Sequence, residues 1–272
     1  MIMENKVKYS IVVPCYNSEY FLDDLCIQVY DVFRKDFELI LVNDFSSDKT
    51  NEKIIELKDN YHFIKGFSFP ANIGQIASTL FGISKAKGKI IITIDDDLQH
   101  NIQSYKVLET LLKNKNLDIV IATWKTDETL IRNTSSTIFR ILSSLIILKK
   151  TDFRNTAFRI FKSENKKEIF DFFCSRFWFD PRRIIKPDKI GQTNVDHFLQ
   201  LNRPQSSFRA RAALASKHIF FDSYLINLTI MVSVFFVPRY IFIFLSYYLL
   251  QKTIRYKTKR KRIKIFNEVI EL

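Results

Sequence analysis

Short apolar runs alternate with amphipathic helical patterns through the first half of this 272-residue chain. The runs are rich in β-branched residues and end in polar turns, as strands do, whereas the segments between them repeat apolar residues at helical spacing. Strands that alternate with helices favour an α/β fold with a mostly parallel sheet. The predicted strands are residues 9–14, 37–43, 62–69, 89–95 and 117–124; the predicted helices are 18–33 with Ser18 as candidate N-cap, a segment from near Asp48, 74–86 and 104–115.

Polar segments follow three of these strands at the point where each strand ends. They are Pro14–Asn17, Asn43–Ser47 and Asp95–Gln99. Ligands of parallel α/β sheets gather at the carboxyl ends of the strands, so we expect these segments to form one site. The glycine-rich phosphate-binding patterns of Rossmann dehydrogenases and P-loop enzymes are absent, and the chain has only five glycines, which argues against both classes.

Three consecutive carboxylates, Asp95, Asp96 and Asp97, end the fourth predicted strand. Strand alternation would turn Asp95 and Asp97 to one side and Asp96 to the other, with Gln99 beside the pair if the chain stays extended. Hard oxygen ligands of this kind suit Mg²⁺ or Mn²⁺, which usually share their coordination with a substrate diphosphate. The alternative is that these acids cap the next helix or lie in a solvated turn.

Residues 11–25, 39–50 and 72–100 together resemble the family 2 glycosyltransferases in content, order and spacing. The resemblance covers about residues 8–163 and is strongest to the polyprenyl-phosphate (dolichol-phosphate mannose synthase-like) branch, whose acidic motif commonly ends in Leu-Gln. It implies a GT-A fold, a nucleotide-diphosphate sugar as donor, Mg²⁺ or Mn²⁺ as cofactor and inverting transfer.

The resemblance also implies roles for individual residues of the donor half. Pro14, Tyr16 and Glu19 match the segment that lines the nucleotide base and ribose, and Asp44 matches an acid that contacts the base. Asn43 stands where the family more often has a first acid. This departure is compatible with nucleotide binding if Asp44 makes the contact.

The acidic segment carries the implied metal site. Asp95 and Asp97 match the two acids near the ribose and the metal-bound diphosphate, and Asp96 lies between them in the same nucleotide-sugar site. Gln99 matches a residue on the metal side. We therefore expect Asp95, Asp97 and Gln99 to be metal ligands and Asp97 to be essential for catalysis.

The match weakens toward the acceptor side. Asp152 and Arg154 resemble an Asp-Phe-Arg segment near the acceptor site and are candidate catalytic residues, although a helix-start Asp with a surface Arg would look the same. Trp124 stands where the family often has Arg. Arg203 resembles an arginine that binds the diphosphate of the nucleotide sugar, but it is displaced from the usual position.

The net charge of +13, from 42 Lys and Arg against 29 Asp and Glu, indicates anionic partners. Three cysteines without metal-type spacing indicate a reduced compartment, and the N-terminus lacks the apolar core of a signal peptide, so we expect the body of the protein in the cytoplasm. The chain carries no recognised nucleic-acid-binding module, and its densest positive charge follows an apolar segment. We therefore expect a lipid surface and no nucleic acid.

Composition changes near Ser216, which predicts a catalytic domain over 1–215 and an apolar, membrane-associating segment over 216–272. Both the catalytic domain and the basic run from Lys252 to Lys264 belong on the inner side of a membrane, so a single crossing is excluded. Two crossings need about 40 apolar residues, more than this segment contains. We therefore expect two short helices, about 222–237 and 240–250, that lie in the interface or dip into the bilayer and return, with the basic run attracted to anionic lipid. The alternative is a helix pair packed on the catalytic domain or on another subunit.

These observations predict metal-dependent, inverting transfer of a sugar to a lipid-linked acceptor at the cytoplasmic side of the membrane. Polyprenyl phosphate is the favoured acceptor. A sugar hydroxyl of a lipid-linked oligosaccharide is the alternative acceptor, for which Asp152 would be the general base. The rival from another class is a catalytically silent, membrane-bound scaffold, which the weakened acceptor motifs would suit.

Overall fold

The computed structural model describes residues 7–123, 156–174, 181, 184–196 and 241–272, with side chains from 246 onward in the last range. An eight-stranded sheet runs through this part of the chain in the order β7-β5-β6-β4-β1-β2-β3-β8. The strands are β1 (Tyr9–Cys15), β2 (Phe37–Asn43), β3 (Ile64–Ser68), β4 (Ile90–Thr93), β5 (Ile119–Thr123), β6 (Arg159–Lys162), β7 (Ile190–Asn194) and β8 (Ile270–Glu271).

Strand directions are mostly parallel. β1 is parallel to β2 and β4, β2 to β3, and β5 to β7. β6 lies antiparallel between β4 and β5, and β8 is antiparallel to β3. The predicted α/β class with a mostly parallel sheet is therefore confirmed, whereas the two reversed strands were not predicted.

The order of the strands reverses at β1. β2 and β3 lie on one side of β1, and β4 lies on the other. Where successive connections leave a parallel sheet in opposite directions, a crevice opens outside the carboxyl ends of the strands. Residues that follow β1 and β4 thus face each other at the natural ligand position of this fold.

Helices cover both faces of the sheet. The described α-helices are α1 (Leu22–Phe33), α2 (Thr50–Asn60), α3 (Gln75–Lys85), α4 (Tyr105–Asn114), α5 (Lys166–Phe173) and α6 (Ile241–Asn267). The inner strands send successive side chains into opposite cores: Ile11 and Val13 pack with α1, α2 and α4, while Val12 packs with α3 and α5. Burial on both faces explains why these strands are almost continuously apolar.

The prediction that Ser18 caps the first helix is wrong. α1 begins at Leu22, with Phe21 at the N-cap position and no capping side chain. Ser18 is buried, and its hydroxyl donates a hydrogen bond to the carboxylate of Asp96. The hydroxyl oxygen of Ser18 also accepts the backbone N–H of Tyr16 at 3.0 Å, so the hydroxyl uses its donor toward Asp96 and an acceptor position within the loop after β1, and not at α1.

The C-terminal helix is longer than predicted. α6 continues to Asn267 instead of ending near Leu250, so the basic run is helical. Its last turns pack on the sheet domain, where Arg262 and Ile265 are buried, and β8 then joins the edge of the sheet. These tertiary contacts give the basic segment a folded partner that its composition did not reveal.

Two other expectations for this region stay predictions. The first predicted helix, 222–237, and the domain boundary at residue 215 both fall outside the described residues. Among the helices that the structure describes, none combines the length and the apolar character needed to cross a bilayer.

Candidate functional site

Asp96 joins the loop after β1 to the acidic segment after β4. Its Oδ2 accepts the backbone N–H of Tyr16 at 3.1 Å as well as the hydroxyl of Ser18. The carboxylate is buried and turned toward the β1 loop. β4 ends at Thr93, so Asp95, Asp96 and Asp97 follow the strand, and the predicted alternation of their side chains stays a prediction. Asp96 thus positions the Tyr16 loop, while its direct contact with a nucleotide sugar stays a prediction.

Asp95 turns toward the amino end of α3. Its Oδ1 accepts a hydrogen bond from the side-chain amide of Gln75, the first residue of α3, and its Oδ2 lies 3.4 Å from Nε2 of His100. The His100 ring is buried, with its centroid 5.4 Å from that of Phe158. Contacts to both oxygens hold the Asp95 carboxylate in one orientation, with 26% of its side chain exposed to the crevice.

Asp97 lies in an electrostatically unfavourable position for an acid. Burial raises the pKa of Asp97, and the negative charge of Asp95 raises it further. The backbone N–H of Gln99 donates to its Oδ1 at 3.3 Å, which acts in the opposite direction. Two carboxylates that repel each other at the mouth of a crevice form a favourable place for a cation.

The chain does not meet the condition that would place Gln99 beside Asp95 and Asp97, which is an extended backbone from Asp97 to Gln99. Leu98, between them, has a φ of 58°, in the left-handed region that residues other than glycine adopt infrequently. The chain therefore turns directly after Asp97, so strand alternation no longer places the Gln99 side chain. Its role as a metal ligand stays a prediction.

Asp44 fastens the loop between β3 and α3. Its two carboxylate oxygens accept the backbone N–H groups of Ile73 at 2.8 Å and Gly74 at 2.9 Å. Burial raises the pKa of Asp44, although these two hydrogen bonds favour the ionised form. Asp44 is buried, and Ser78 also forms a hydrogen bond with its side chain. The contact of Asp44 with a nucleotide base stays a prediction.

Gly74 gives this loop its shape. Its φ of 89° and ψ of 150° lie in a region that is essentially restricted to glycine. The turn at Gly74 aims its N–H at Asp44 and starts α3 at the next residue, so that Gln75 lies beside Asp95.

Asn43 links the carboxyl ends of β2 and β3. Its Nδ2 donates to Oδ1 of Asn51 at 3.2 Å and to Oγ of Ser68 at 3.0 Å. Its Oδ1 accepts both the backbone N–H and the hydroxyl of Ser46, at 3.0 and 2.6 Å. An aspartate could not donate, so the amide at this position has a structural reason.

The predicted nucleotide-binding segment after β1 lies at the same edge of the sheet. Tyr16 is 47% exposed. Glu19 accepts the backbone N–H of Lys49 at 2.8 Å, which connects the β1 loop to the start of α2, and Pro14 is buried within β1. Of these three residues, Tyr16 presents the most exposed side chain to a ligand.

The carboxylate oxygens at this site suit a metal ion that arrives together with a substrate. Across the described ranges, no three His, Cys, Asp or Glu side chains are arranged to hold a metal ion by themselves. Asp95 and Asp97 supply hard oxygen atoms, the ligands that Mg²⁺ and Mn²⁺ prefer, and these ions often complete their coordination with substrate phosphates. The residues present therefore suit a shared metal site better than a permanent metal centre.

The residues predicted for the acceptor side of the site have no described position. Asp152, Arg154 and Arg203 all lie outside the described residues, as does Trp124. Two residues that sequence reasoning did not assign, Gln75 and His100, contact Asp95 instead. Both had a signal in the sequence, since Gln75 follows a glycine at a predicted helix start and His100 closes the acidic segment.

Comparison with known sequences shows that this chain is similar to transferases whose names include a lipid phosphate. A dolichyl-phosphate beta-glucosyltransferase of Trichomonas vaginalis is 29% identical over 202 residues, which cover 68% of this chain and 62% of the relative. An undecaprenyl-phosphate 4-deoxy-4-formamido-L-arabinose transferase of Photorhabdus laumondii is 35% identical over 104 residues, covering 37% of this chain and 32% of the relative. The chain thus spans less than two thirds of the length of either protein.

A solved structure shows the same fold. Glucosyl-3-phosphoglycerate synthase of Mycobacterium tuberculosis, in complex with Mn²⁺ and uridine-diphosphate-glucose, superposes with a TM-score of 0.58 over 81% of each chain, at 17% sequence identity. The fold is accordingly GT-A-like, as expected. The sequence model of glycosyl transferase family 2 matches residues 10–179, more than half of the chain. The protein therefore belongs to glycosyl transferase family 2.

Proposed function

We propose that this protein transfers a sugar from a nucleotide diphosphate to polyprenyl phosphate, with inversion at the anomeric carbon and with Mg²⁺ or Mn²⁺. The observation that carries the proposal is the pair Asp95 and Asp97 at the crevice where the strand order reverses. Their repulsion favours a cation, and a cation there would lie at the position where α/β folds bind phosphorylated ligands.

The chain's own residues supply the binding and orientation of the donor. Gln75 and His100 fix the direction of Asp95, and Asp96 fixes the loop that carries Tyr16. A bound Mg²⁺ or Mn²⁺ would supply charge neutralisation of the diphosphate leaving group. Preorganised groups of this kind lower the barrier because they need not reorganise during the reaction.

Polyprenyl phosphate is the acceptor that the relatives favour. The names of the two relatives specify dolichyl phosphate and undecaprenyl phosphate. A phosphate oxygen is already ionised near neutral pH and needs no strong general base, so cationic groups suffice to position it. Arg154 and Arg203 are the candidates for that task, and Asp152 would be required only for a hydroxyl acceptor.

The acceptor places the reaction at a membrane. A nucleotide sugar is a cytoplasmic donor and a polyprenyl phosphate is anchored in lipid, so we propose that the protein works at the cytoplasmic face. The excess of Lys and Arg and the apolar composition of residues 216–250 support this location.

The test is transfer of radiolabel from a panel of nucleotide sugars to undecaprenyl phosphate by the full chain, with Mg²⁺ or Mn²⁺ and with a chelator. Asp97→Ala should abolish the lipid product, whereas Asp59→Ala, a matched change at an exposed acid on α2, should retain it. Metal-dependent hydrolysis without a lipid product would redirect the acceptor to a lipid-linked oligosaccharide. Absence of both turnover and nucleotide binding would refute the proposal.

A further inference from the structure

One side of α6 carries cations without acids. No Asp or Glu occurs between residues 241 and 267. Lys252, Lys257, Arg260 and Lys261 are exposed and lie on one side of the helix at helical spacing. Exposed apolar side chains share that side: Leu249 is 57% exposed, Leu250 49%, Tyr256 65% and Ile263 39%. We call these eight residues the outward face of α6.

The opposite side of α6 is fixed to the catalytic domain. The Arg262 guanidinium is buried and donates to the carbonyl oxygens of Phe173 at 3.2 Å and Cys174 at 3.0 Å. Ile265 is buried beside it, and the Phe266 ring lies 5.4 Å from Phe81 on α3. Because one side is held in this way, the direction of the outward face is set by the fold.

This attachment lies toward the edge of the sheet that carries the site. β6 runs antiparallel to β4 and pairs Lys162 with Ile90, so it ends at the edge opposite the site. α5 starts from that edge and therefore runs back toward the carboxyl ends of β1 and β4. Arg262 binds the far end of α5, and β8 pairs Ile270 with Ser68, at the carboxyl end of β3.

We propose that the outward face of α6 docks on a membrane surface that contains anionic lipid and so holds the donor site against the bilayer. The inference rests on the proposed function for its biological sense, and it adds the surface and the partner. Cations alternating with Leu, Ile and Tyr suit an interface in which the charges meet headgroups and the apolar side chains enter the acyl boundary. Nucleic acid would satisfy the cations but would leave the exposed aliphatic side chains without a partner.

The experiment measures sedimentation of the full chain with vesicles of phosphatidylcholine alone and of phosphatidylcholine mixed with phosphatidylglycerol. Lys252→Gln, Lys257→Gln, Arg260→Gln and Lys261→Gln are combined in one variant. Each Lys or Arg near an anionic surface contributes to vesicle binding. Loss of all four charges should therefore lower the affinity for the mixed vesicles by about a hundredfold or more. A second variant, Leu249→Ser with Leu250→Ser, should weaken binding to both kinds of vesicle.

The control removes the same net charge elsewhere. Lys35, Lys87, Lys89 and Lys115 are exposed and precede β2, β4 and β5 at the edge opposite the site, so their combined change to Gln should leave vesicle binding intact. An equal loss of vesicle binding in the α6 charge variant and in this control would overturn the proposal. Wild-type protein that binds RNA but does not bind anionic vesicles would overturn it as well. Circular dichroism would establish that each variant is folded.

Vesicle binding requires no catalysis, so its outcome is independent of the proposed transfer reaction. A short-chain, water-soluble polyprenyl phosphate provides the complementary assay. If both proposals hold, the α6 charge variant keeps turnover with this acceptor and loses it with undecaprenyl phosphate in anionic vesicles. An inactive wild type that still binds anionic vesicles through α6 would refute the transfer reaction alone.

Discussion

The side-chain amide of Gln75 donates a hydrogen bond to Asp95, so the first residue of α3 orients an acid of the candidate metal site. The amide is neutral, so this contact holds Asp95 without placing another charge beside it. His100 approaches the other carboxylate oxygen from the segment that follows β4. The direction of this one carboxylate thus depends on two separate segments of the chain.

We expect Gln75→Ala to lower kcat/KM for sugar transfer by about tenfold, because Asp95 loses a fixed partner. Gln75→Glu should be more harmful, since it places a second negative charge beside Asp95. Steady-state kinetics at several Mn²⁺ concentrations measure both effects. Gln28→Ala, an exposed change on α1, is the matched control, and equal kinetics for Gln75→Ala and Gln28→Ala would contradict the assignment.

Gly74→Ala should destabilise the fold by about 1–3 kcal/mol, because the backbone region at this φ and ψ strains any side chain. A Cβ at this position would meet no atom within 4 Å, so a steric clash cannot explain the loss. Urea denaturation measures the free energy of unfolding. An unchanged value would show that the loop can relax without holding Asp44.

Asp96→Asn should raise KM for the nucleotide sugar more than it lowers kcat. The change weakens the hydrogen bonds that hold Tyr16 and Ser18, so it disturbs the β1 loop more than the groups that face the diphosphate. Asp97→Asn should show the reverse pattern, with its main loss in kcat. Initial-rate kinetics of the two variants separate these roles, and identical patterns would argue against the different directions of the two carboxylates.

Acid stability should depend on Glu38, a buried acid that pairs with Lys65 and accepts the Ser10 hydroxyl and the Lys87 N–H, each at 2.5 Å. Burial alone would raise the pKa of Glu38, but these hydrogen bonds together lower it below its ordinary value of 4.5. Because the pKa of Glu38 is lower in the folded state, its ionised carboxylate stabilises the protein fully at pH values above the ordinary pKa of 4.5. This contribution is lost as the pH falls through the folded-state pKa.

Glu38→Gln should therefore lower the free energy of unfolding by about 2 kcal/mol at pH 7, and the difference from wild type should shrink as the pH falls below the ordinary pKa of 4.5. Denaturation curves of wild type and variant at pH 7 and at a pH below 4.5 test this prediction. The exposed change Glu52→Gln is the control. A constant difference between wild type and Glu38→Gln at the two pH values would refute the ionic role of Glu38.

The strands and the edge that carries the site were predictable because they follow from local pattern. β1 and β2 are buried throughout, as their continuous apolar runs predict for inner strands of a parallel sheet. The loop after β1 meets the segment after β4 through the hydrogen bond from Tyr16 to Asp96, as the rule for parallel sheets predicts.

The features that sequence reasoning missed depend on distant partners or on unusual backbone. The hydroxyl of Ser18 binds an acid 78 residues away, and Arg262 binds a carbonyl 88 residues away. Leucine does not favour a positive φ, so the turn at Leu98 could not be predicted from its residue type. β6 was not among the predicted strands, because its antiparallel pairing with β4 and β5 joins parts of the chain far apart in sequence.

The reversed strand β6 has a consequence for how such a protein can diversify. The chain leaves β5 at Thr123 and returns to β6 at Arg159, and the two ends of this excursion are tied together: Ala122 donates its N–H to the Phe158 carbonyl at 3.0 Å, and the Thr156 hydroxyl donates to the Ala122 carbonyl at 2.6 Å. The entropy of closing a loop changes slowly with its length, so an insertion with joined ends can be exchanged at small cost to the sheet. We therefore expect the sheet and the donor half to tolerate replacement of residues 124–155. If Asp152 and Arg154 bind the acceptor as predicted, such a replacement would change acceptor specificity alone.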